Sequence, residues 1–312
     1  MEVYIPQNIA QAGKDYLTQK GYAIRIGTGS DEETMLREIG RADALLVRTA
    51  KITAKLMAAD SNLKVIGRHG VGTDNIDLDY CRTHGIRVTN GPLSNTESVA
   101  EHTVAFILAL AYHVLTCDDE VRKGNWDYRS HVNHVELYGK TVGIVGYGRI
   151  GSSVGKMLHD AFDMKVIGYS RHITQDSVPN YVEATRDLTY LLQNSDFVSL
   201  HVPGGKHTEN LIGRKELSLM KPSAFLINCD RGSVVDERAL HDTLAARNIA
   251  GAALDCLKDE PDPSPLLYDL PNIIFSPHCS AHTKESFDRM AVHAAQGIDD
   301  VLSGRRPEWA VV

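Results

Sequence analysis

Short runs of β-branched and apolar residues alternate along this chain with longer stretches in which apolar residues recur at helical spacing. In the amino-terminal third the runs are Val3 to Ile5, Ala44 to Val47, Leu63 to Gly67 and Ile86 to Val88, and the helical stretches include Ile9 to Lys20 and Glu32 to Gly40. That is a βα pattern. Asn95 to Val121 then reads as one long helix, with Asn95 or Thr96 as N-cap and Glu97 in its first turn. A second βα series follows at Thr141 to Val145, Lys165 to Tyr169, Phe197 to Leu200, Ala224 to Asn228, Ala250 to Leu254 and Ile273 to Phe275, and Lys284 to Ser303 reads as a closing helix. Strands so spaced predict an α/β fold with parallel, doubly wound sheets covered on both faces. The longest apolar run, Thr103 to Cys117, is shorter than the roughly 20 residues needed to span a bilayer and is expected to be a buried helix.

One segment changes the picture from fold to ligand. Thr141 to Gly151 ends a strand in Gly146, Gly148 and Gly151 at the spacing G-x-G-x-x-G, and Arg149 and Ile150 open the helix that follows. The first glycine permits a tight turn, the second lets the backbone approach a pyrophosphate, and the third lets helix and strand pack closely. The amino end of that helix would offer free N–H groups to phosphate.

At 312 residues the chain is long for one core, and two lobes are expected. The net charge of −7, with basic residues scattered, carries no footprint for nucleic acid or anionic lipid. The five cysteines share no C-x-x-C spacing, which argues against a disulfide framework or a metal knuckle and fits a reducing cytosol. No metal is expected. Met1 to Pro6 shows neither a basic region nor a long apolar stretch, so a cytoplasmic location is expected.

Three polar residues sit just past apolar strands of the second series, where ligand crevices of such sheets lie: Arg231, Glu260 and His278. With Gly70-Val71-Gly72-Thr73-Asp74-Asn75-Ile76-Asp77, Asn95 to His102, the glycine loop, His201-Val202-Pro203, Arg231 to Glu237, Asp255 to Pro261 and Pro277-His278, the chain resembles the D-2-hydroxyacid dehydrogenase family over nearly its whole length. The resemblance implies a smaller flavodoxin-like substrate lobe from residues 1–95 and 284–312, a Rossmann-type dinucleotide lobe from 96–283, and the Arg, Glu, His trio in a cleft between them. It also implies that His201, Val202, Pro203, Thr208 and Cys229 lie on the cofactor side and that Asp255 holds the nicotinamide carboxamide; the plainer reading of Asp255 is a helix or turn cap. Relatives pair through the Asn95 to Val121 region, so a homodimer is expected.

The trio suits reduction of a 2-oxo acid, which needs a hydride at the carbonyl carbon and a proton at its oxygen. His278 would be the acid and Glu260 would hold its ring. Arg231 would bind the carboxylate, with the N–H groups of Val71 and Gly72 taking its other oxygen. An NAD site wants a carboxylate at the end of its second strand, about 20 residues past the glycines. Here Ser170-Arg171-His172 stands there, which favours NADP with Arg171 as phosphate ligand and leaves NAD as the other cofactor. Arg48 and Arg68 resemble substrate positions of phosphoglycerate dehydrogenases and would suit hydroxypyruvate, glyoxylate or a 3-phosphoglycerate-like acid; the plain alternative is solvated surface charge. Asp230 and His282 depart from the family pattern and leave specificity open. Because the chain stops at Val312, a carboxy-terminal regulatory domain with serine feedback is not expected. A competing reading is a dinucleotide-sensing, corepressor-like binding protein with little turnover. A formate dehydrogenase is disfavoured, because that relative carries an amide where Glu260 stands.

Overall fold

A computed structural model describes residues 1–60 and 62–312 and divides them into two compact units, Met1–Thr96 with Ala281–Val312, and Glu97–Ser280. In the first unit the order is β1 (Glu2–Ile5), α1 (Gln11–Gln19), β2 (Ala23–Ile26), α2 (Glu32–Glu38), β3 (Ala44–Val47), α3 (Ala54–Ala58), β4 (Val65–Arg68), α4 (Leu78–His84) and β5 (Arg87–Thr89). The strands form a parallel sheet in the order β2-β1-β3-β4-β5. The period of two along β1 sends Tyr4 to a core with Met35, Ile39, Leu45 and Ile66, and Val3 and Ile5 to a second core on the other face. Asp31, Thr53 and Asp77 cap α2, α3 and α4 by accepting N–H groups of Thr34, Leu56 and Tyr80, so polar side chains start these helices where the pattern turns apolar.

The second unit contains α5 (Thr96–Ala111), α6 (Val114–Arg122), β6 (Thr141–Val145), α7 (Arg149–Phe162), β7 (Lys165–Tyr169), β8 (Val182–Thr185), α8 (Leu188–Asn194), β9 (Phe197–Leu200), α9 (Arg214–Leu217), β10 (Phe225–Asn228), α10 (Glu237–Ala245), β11 (Gly251–Leu254) and β12 (Ile273–Phe275). Its parallel sheet runs β12-β11-β10-β9-β6-β7-β8, so the strand order reverses between β6 and β9. Leu200, Leu226, Leu240 and Leu254 are among the side chains of the core there. The last helix, α11 (Lys284–Leu302), belongs to the first unit and lays Ala291, Ala294, Ala295 and Ile298 on Val3, Ile5 and Val65. A Cβ on Gly67 would lie 2.6 Å from the Ala294 carbonyl oxygen, so only glycine lets the helix approach β4 this closely.

Two expectations need correction. The stretch Asn95 to Val121 is not one helix: α5 and α6 are bent by 57° at a break where His113 is left-handed at φ 47°. At the break the Ala111 carbonyl accepts the Val135 N–H of the incoming segment at 2.8 Å, so a carbonyl at the end of α5 finds a partner outside the helix. Nor is the apolar run buried throughout, since Val114 and Leu115 are 50% and 56% exposed and α6 buries no residue. Strands β2 and β8 have no counterpart in the sequence pattern. Both are sheet edges, with Arg25 and Glu183 breaking their apolar runs. No single helix among the described residues is long and apolar enough to cross a membrane.

Candidate active site

The glycine loop lies where the strand order reverses, after β6, the place where ligands of open α/β sheets bind. Gly146 has φ +98°, and a Cβ there would strike the His201 carbonyl. A Cβ on Gly151 would meet Ile144 Cγ2 at 2.7 Å, so the third glycine sets how closely α7 packs on its strand. Gly148, the N-cap of α7, makes no side-chain cap, and a Cβ there would meet nothing within 4 Å. The first intrahelical bond is Ser152 N–H to the Gly148 carbonyl at 2.8 Å, so the N–H groups of Arg149, Ile150 and Gly151 precede the ladder. An open approach, a positive helix end and three unsatisfied donors fit a dinucleotide pyrophosphate.

The neighbouring strand ends converge on this loop. The Tyr169 carbonyl at the end of β7 accepts N–H groups of Gly146 and Tyr147 at 2.9 and 3.0 Å, so Ser170, half-buried, and Arg171, exposed, continue from beside the loop. His201, Val202 and Pro203 leave β9, with the His201 N–H bonded to Val145 at 2.7 Å. His201 is half-buried: Nε2 lies 2.8 Å from Ser199 Oγ, Nδ1 is buried without a partner among the described residues, and desolvation brings the ring's pKa down to about 3. Thr208 Oγ1 donates to Pro203 at 2.5 Å, fixing the turn after β9. Cys229 follows β10, and burial pushes its thiol up to about 12.

Arg231, Glu260 and His278 all belong to the second unit, past the ends of β10, β11 and β12. Asn228 Nδ2 donates to the Arg231 carbonyl at 2.8 Å, which fixes the turn, and Arg231 Nη1 donates to the Asp230 carbonyl at 2.7 Å. Asp230, the departure noted in the sequence, brings Oδ1 to 3.4 Å from the same Nη1. Glu260 Oε1 accepts the Leu257 N–H at 2.7 Å, and its Oε2 lies 2.6 Å from His278 Nδ1. That hydrogen bond raises the His278 pKa against the effect of burial, while the positive charge of Arg231 pulls the other way. Burial acts to raise the Glu260 pKa, yet its bonds from His278 and Leu257 hold it below the usual carboxylate value. Both shifts favour a carboxylate and imidazolium pair. With Nδ1 held by Glu260, Nε2 is left to give a proton when the ring is charged and to take one when it is neutral.

Asp255, expected from the resemblance to hold the nicotinamide carboxamide, has the bonds of a turn cap. Its side chain is 0% exposed and accepts Ser276 Oγ, Cys279 N at 2.8 Å and Ser280 N at 2.9 Å, the turn-cap alternative. Sequence reading does not single out Ser276 or His102, whose Nε2 lies 3.0 Å from Ser276 Oγ. No local signal marks either residue, because His102 stands among other polar residues at the start of α5 and its meeting with Ser276 depends on tertiary structure.

The remaining candidates lie in the first unit. Arg48 follows β3, stacks its guanidinium 4.9 Å over Phe287, donates to the Asn8 carbonyl at 3.2 Å and has its pKa lowered by burial. Arg68 ends β4 and donates to the His69 carbonyl. Val71 and Gly72 form the loop after β4, held by Asn90 Nδ2 on the Val71 carbonyl at 2.8 Å and by Gly91 N on the Gly70 carbonyl at 2.9 Å. His282 packs edge-on against Phe287 at 5.0 Å.

Residues 104–280 match the NAD binding domain of the D-isomer specific 2-hydroxyacid dehydrogenases. The chain is 38% identical over 311 residues to a D-3-phosphoglycerate dehydrogenase of Synechocystis, covering 99% of this chain and 56% of that protein. It is 43% identical over 283 residues to a glyoxylate reductase of Thermofilum pendens, covering 88% of this chain and 83% of the relative. The solved structure of the TT0316 protein from Thermus thermophilus superposes over 100% of both chains with a TM-score of 0.92 and 34% identity. The chain therefore belongs to the D-isomer specific 2-hydroxyacid dehydrogenase family. It spans little more than half the length of the phosphoglycerate dehydrogenases it matches.

Proposed function

We propose that this chain transfers a hydride between a nicotinamide dinucleotide and a small 2-oxo acid, giving a D-2-hydroxy acid. The carrying observation is the 2.6 Å His278–Glu260 pair, electrostatically coupled to Arg231, in the sheet that also bears the glycine cradle. The dinucleotide supplies the hydride when bound, held by Gly146, Gly148, Arg149, Ile150 and Gly151. His278 delivers the proton from Nε2 to the carbonyl oxygen and recovers it in the reverse direction. Glu260 keeps the ring oriented and charged, and Arg231 binds the substrate carboxylate through parallel N–H groups. The positive charge of Arg48 and Arg68 and the loop of Val71 and Gly72 in the first unit favour substrates with a polar or anionic tail, such as hydroxypyruvate or its phosphate.

Ser170 and Arg171, with no carboxylate beside them at the end of β7, favour NADP over NAD. Exposed Val114, Leu115, Trp126 and Tyr138 on and near α6 favour a homodimer. Free cysteines favour a reducing cytosol. One preparation tests these readings. Purified protein is incubated with NADPH or NADH and glyoxylate, hydroxypyruvate, phosphohydroxypyruvate or pyruvate, while a sedimentation run gives its mass. Loss of nicotinamide absorbance with at least one acid, and higher kcat/KM with NADPH, is expected at the mass of a dimer. Silence across the panel overturns the activity, parity with NADH the cofactor preference, and a single-chain mass the pairing.

A further inference from the structure

The geometry points to His102 as a positioning residue for His278, acting through a relay of hydrogen bonds that ends on the carboxylate of Asp255. His278 stands in the left-handed region at φ 52°, which a residue with a side chain keeps only where its surroundings hold it there. The holding groups are identifiable. The His278 N–H donates to the Asp255 carbonyl at 2.7 Å, and the next two N–H groups, of Cys279 and Ser280, donate to the two Asp255 carboxylate oxygens at 2.8 and 2.9 Å. Asp255 thus grips the loop on both sides of the His278 side chain.

The direction of each bond in the relay follows from its donors. Two backbone N–H groups on the carboxylate mark Asp255 as an acceptor, so the single hydroxyl proton of Ser276 points to Asp255 Oδ1. Ser276 Oγ then has only lone pairs left for His102 Nε2, 3.0 Å away, which must carry a proton and donate it. The order is His102 N–H to Ser276 O–H to Asp255 carboxylate. His102 Nε2 is 3.9 Å from Asp255 Oδ1, so Ser276 bridges a gap too long for a direct bond. Phe106, one turn along α5, meets the His102 ring edge-on at 4.6 Å and fixes its plane. All of these residues lie in the second unit.

Loss of the Ser276 hydroxyl leaves Asp255 one donor fewer, and loss of His102 leaves that hydroxyl no longer held toward the carboxylate; in either case the loop gains freedom around a strained His278. The consequence falls on turnover, not on binding, because Arg231 and the glycine loop are held by other bonds. This rests on the proposed role of His278, so the test has an arm that needs no activity. His102→Leu, His102→Gln, Ser276→Ala and the double variant His102→Leu/Ser276→Ala are compared with the parent protein. Amide hydrogen exchange of the segment 276–280 should quicken about tenfold in His102→Leu and in Ser276→Ala, and stay near the parent rate in His102→Gln, which keeps an N–H donor. With the best 2-oxo acid of the panel, kcat should fall about tenfold in the first two while KM for acid and dinucleotide holds within about twofold. The double variant should be no worse than Ser276→Ala alone, since both break one chain of bonds. Unchanged exchange, additive losses or a change confined to KM would each overturn the assignment. If His102→Leu does not fold, Ser276→Ala, which removes one oxygen and adds no volume, decides by the same readings. If the parent protein turns over no 2-oxo acid, the proposed function falls and exchange alone decides the relay.

Discussion

The ends of β9 and β12, in one sheet, each carry a histidine, and the two are driven in opposite directions. His201 is half-buried, its ring meets the Ser199 hydroxyl, and desolvation drops its pKa to about 3. The His278 side chain is 47% exposed, and Glu260 stands 2.6 Å from Nδ1 and lifts its pKa above the ordinary value. Strand-end position does not make a histidine an acid. A carboxylate partner does, by holding the proton that burial would expel.

Three substitutions measure that contrast. His278→Ala should lower the turnover of 2-oxo acid reduction by at least about a hundredfold, the scale of a lost proton donor; steady-state kinetics retaining most of the parent turnover would remove His278 from the chemistry. Glu260→Gln should act less strongly and leave a signature in pH. Reduction needs the imidazolium, so its rate declines as pH rises through the raised His278 pKa. Taking away the negative charge lowers that pKa, and the decline should begin at lower pH with turnover at neutral pH reduced about tenfold. A profile that does not move would show that Glu260 does not set the proton affinity of the ring. His201→Asn should have the smallest effect, under about threefold on turnover and with no change in pH profile, because a ring with a pKa of about 3 stays neutral across the working range. A displaced profile there would abolish the distinction between the two histidines.

How far these features are legible in the sequence depends on what each residue faces. The central strands are readable because β3, β9, β10 and β11 are buried at every position and appear as unbroken apolar runs. The edge strands β2 and β8, solvated along one side, mix polar with apolar residues and give no such run. The trio can be named because each member directly follows an apolar strand, so local pattern and tertiary position coincide. The break at His113 is hidden: the bond that meets the freed end of α5 comes from the backbone of Val135, which composition does not encode. The commitment of Asp255 to Ser276, Cys279 and Ser280 is equally hidden, because it depends on β11 and β12 lying side by side.

The division of the first unit between both ends of the described chain imposes an order on its assembly. During synthesis β1 to β5 leave the ribosome early, yet the helix that covers Val3, Ile5, Leu46 and Val65 emerges only after the entire seven-stranded sheet has been made. That larger unit is contiguous and has its whole core in hand first, while the smaller sheet waits with one oily face only partly covered, by α1. The nascent chain is therefore most exposed to misassociation in the interval before α11 arrives and settles into the narrow seat that Gly67 keeps for it.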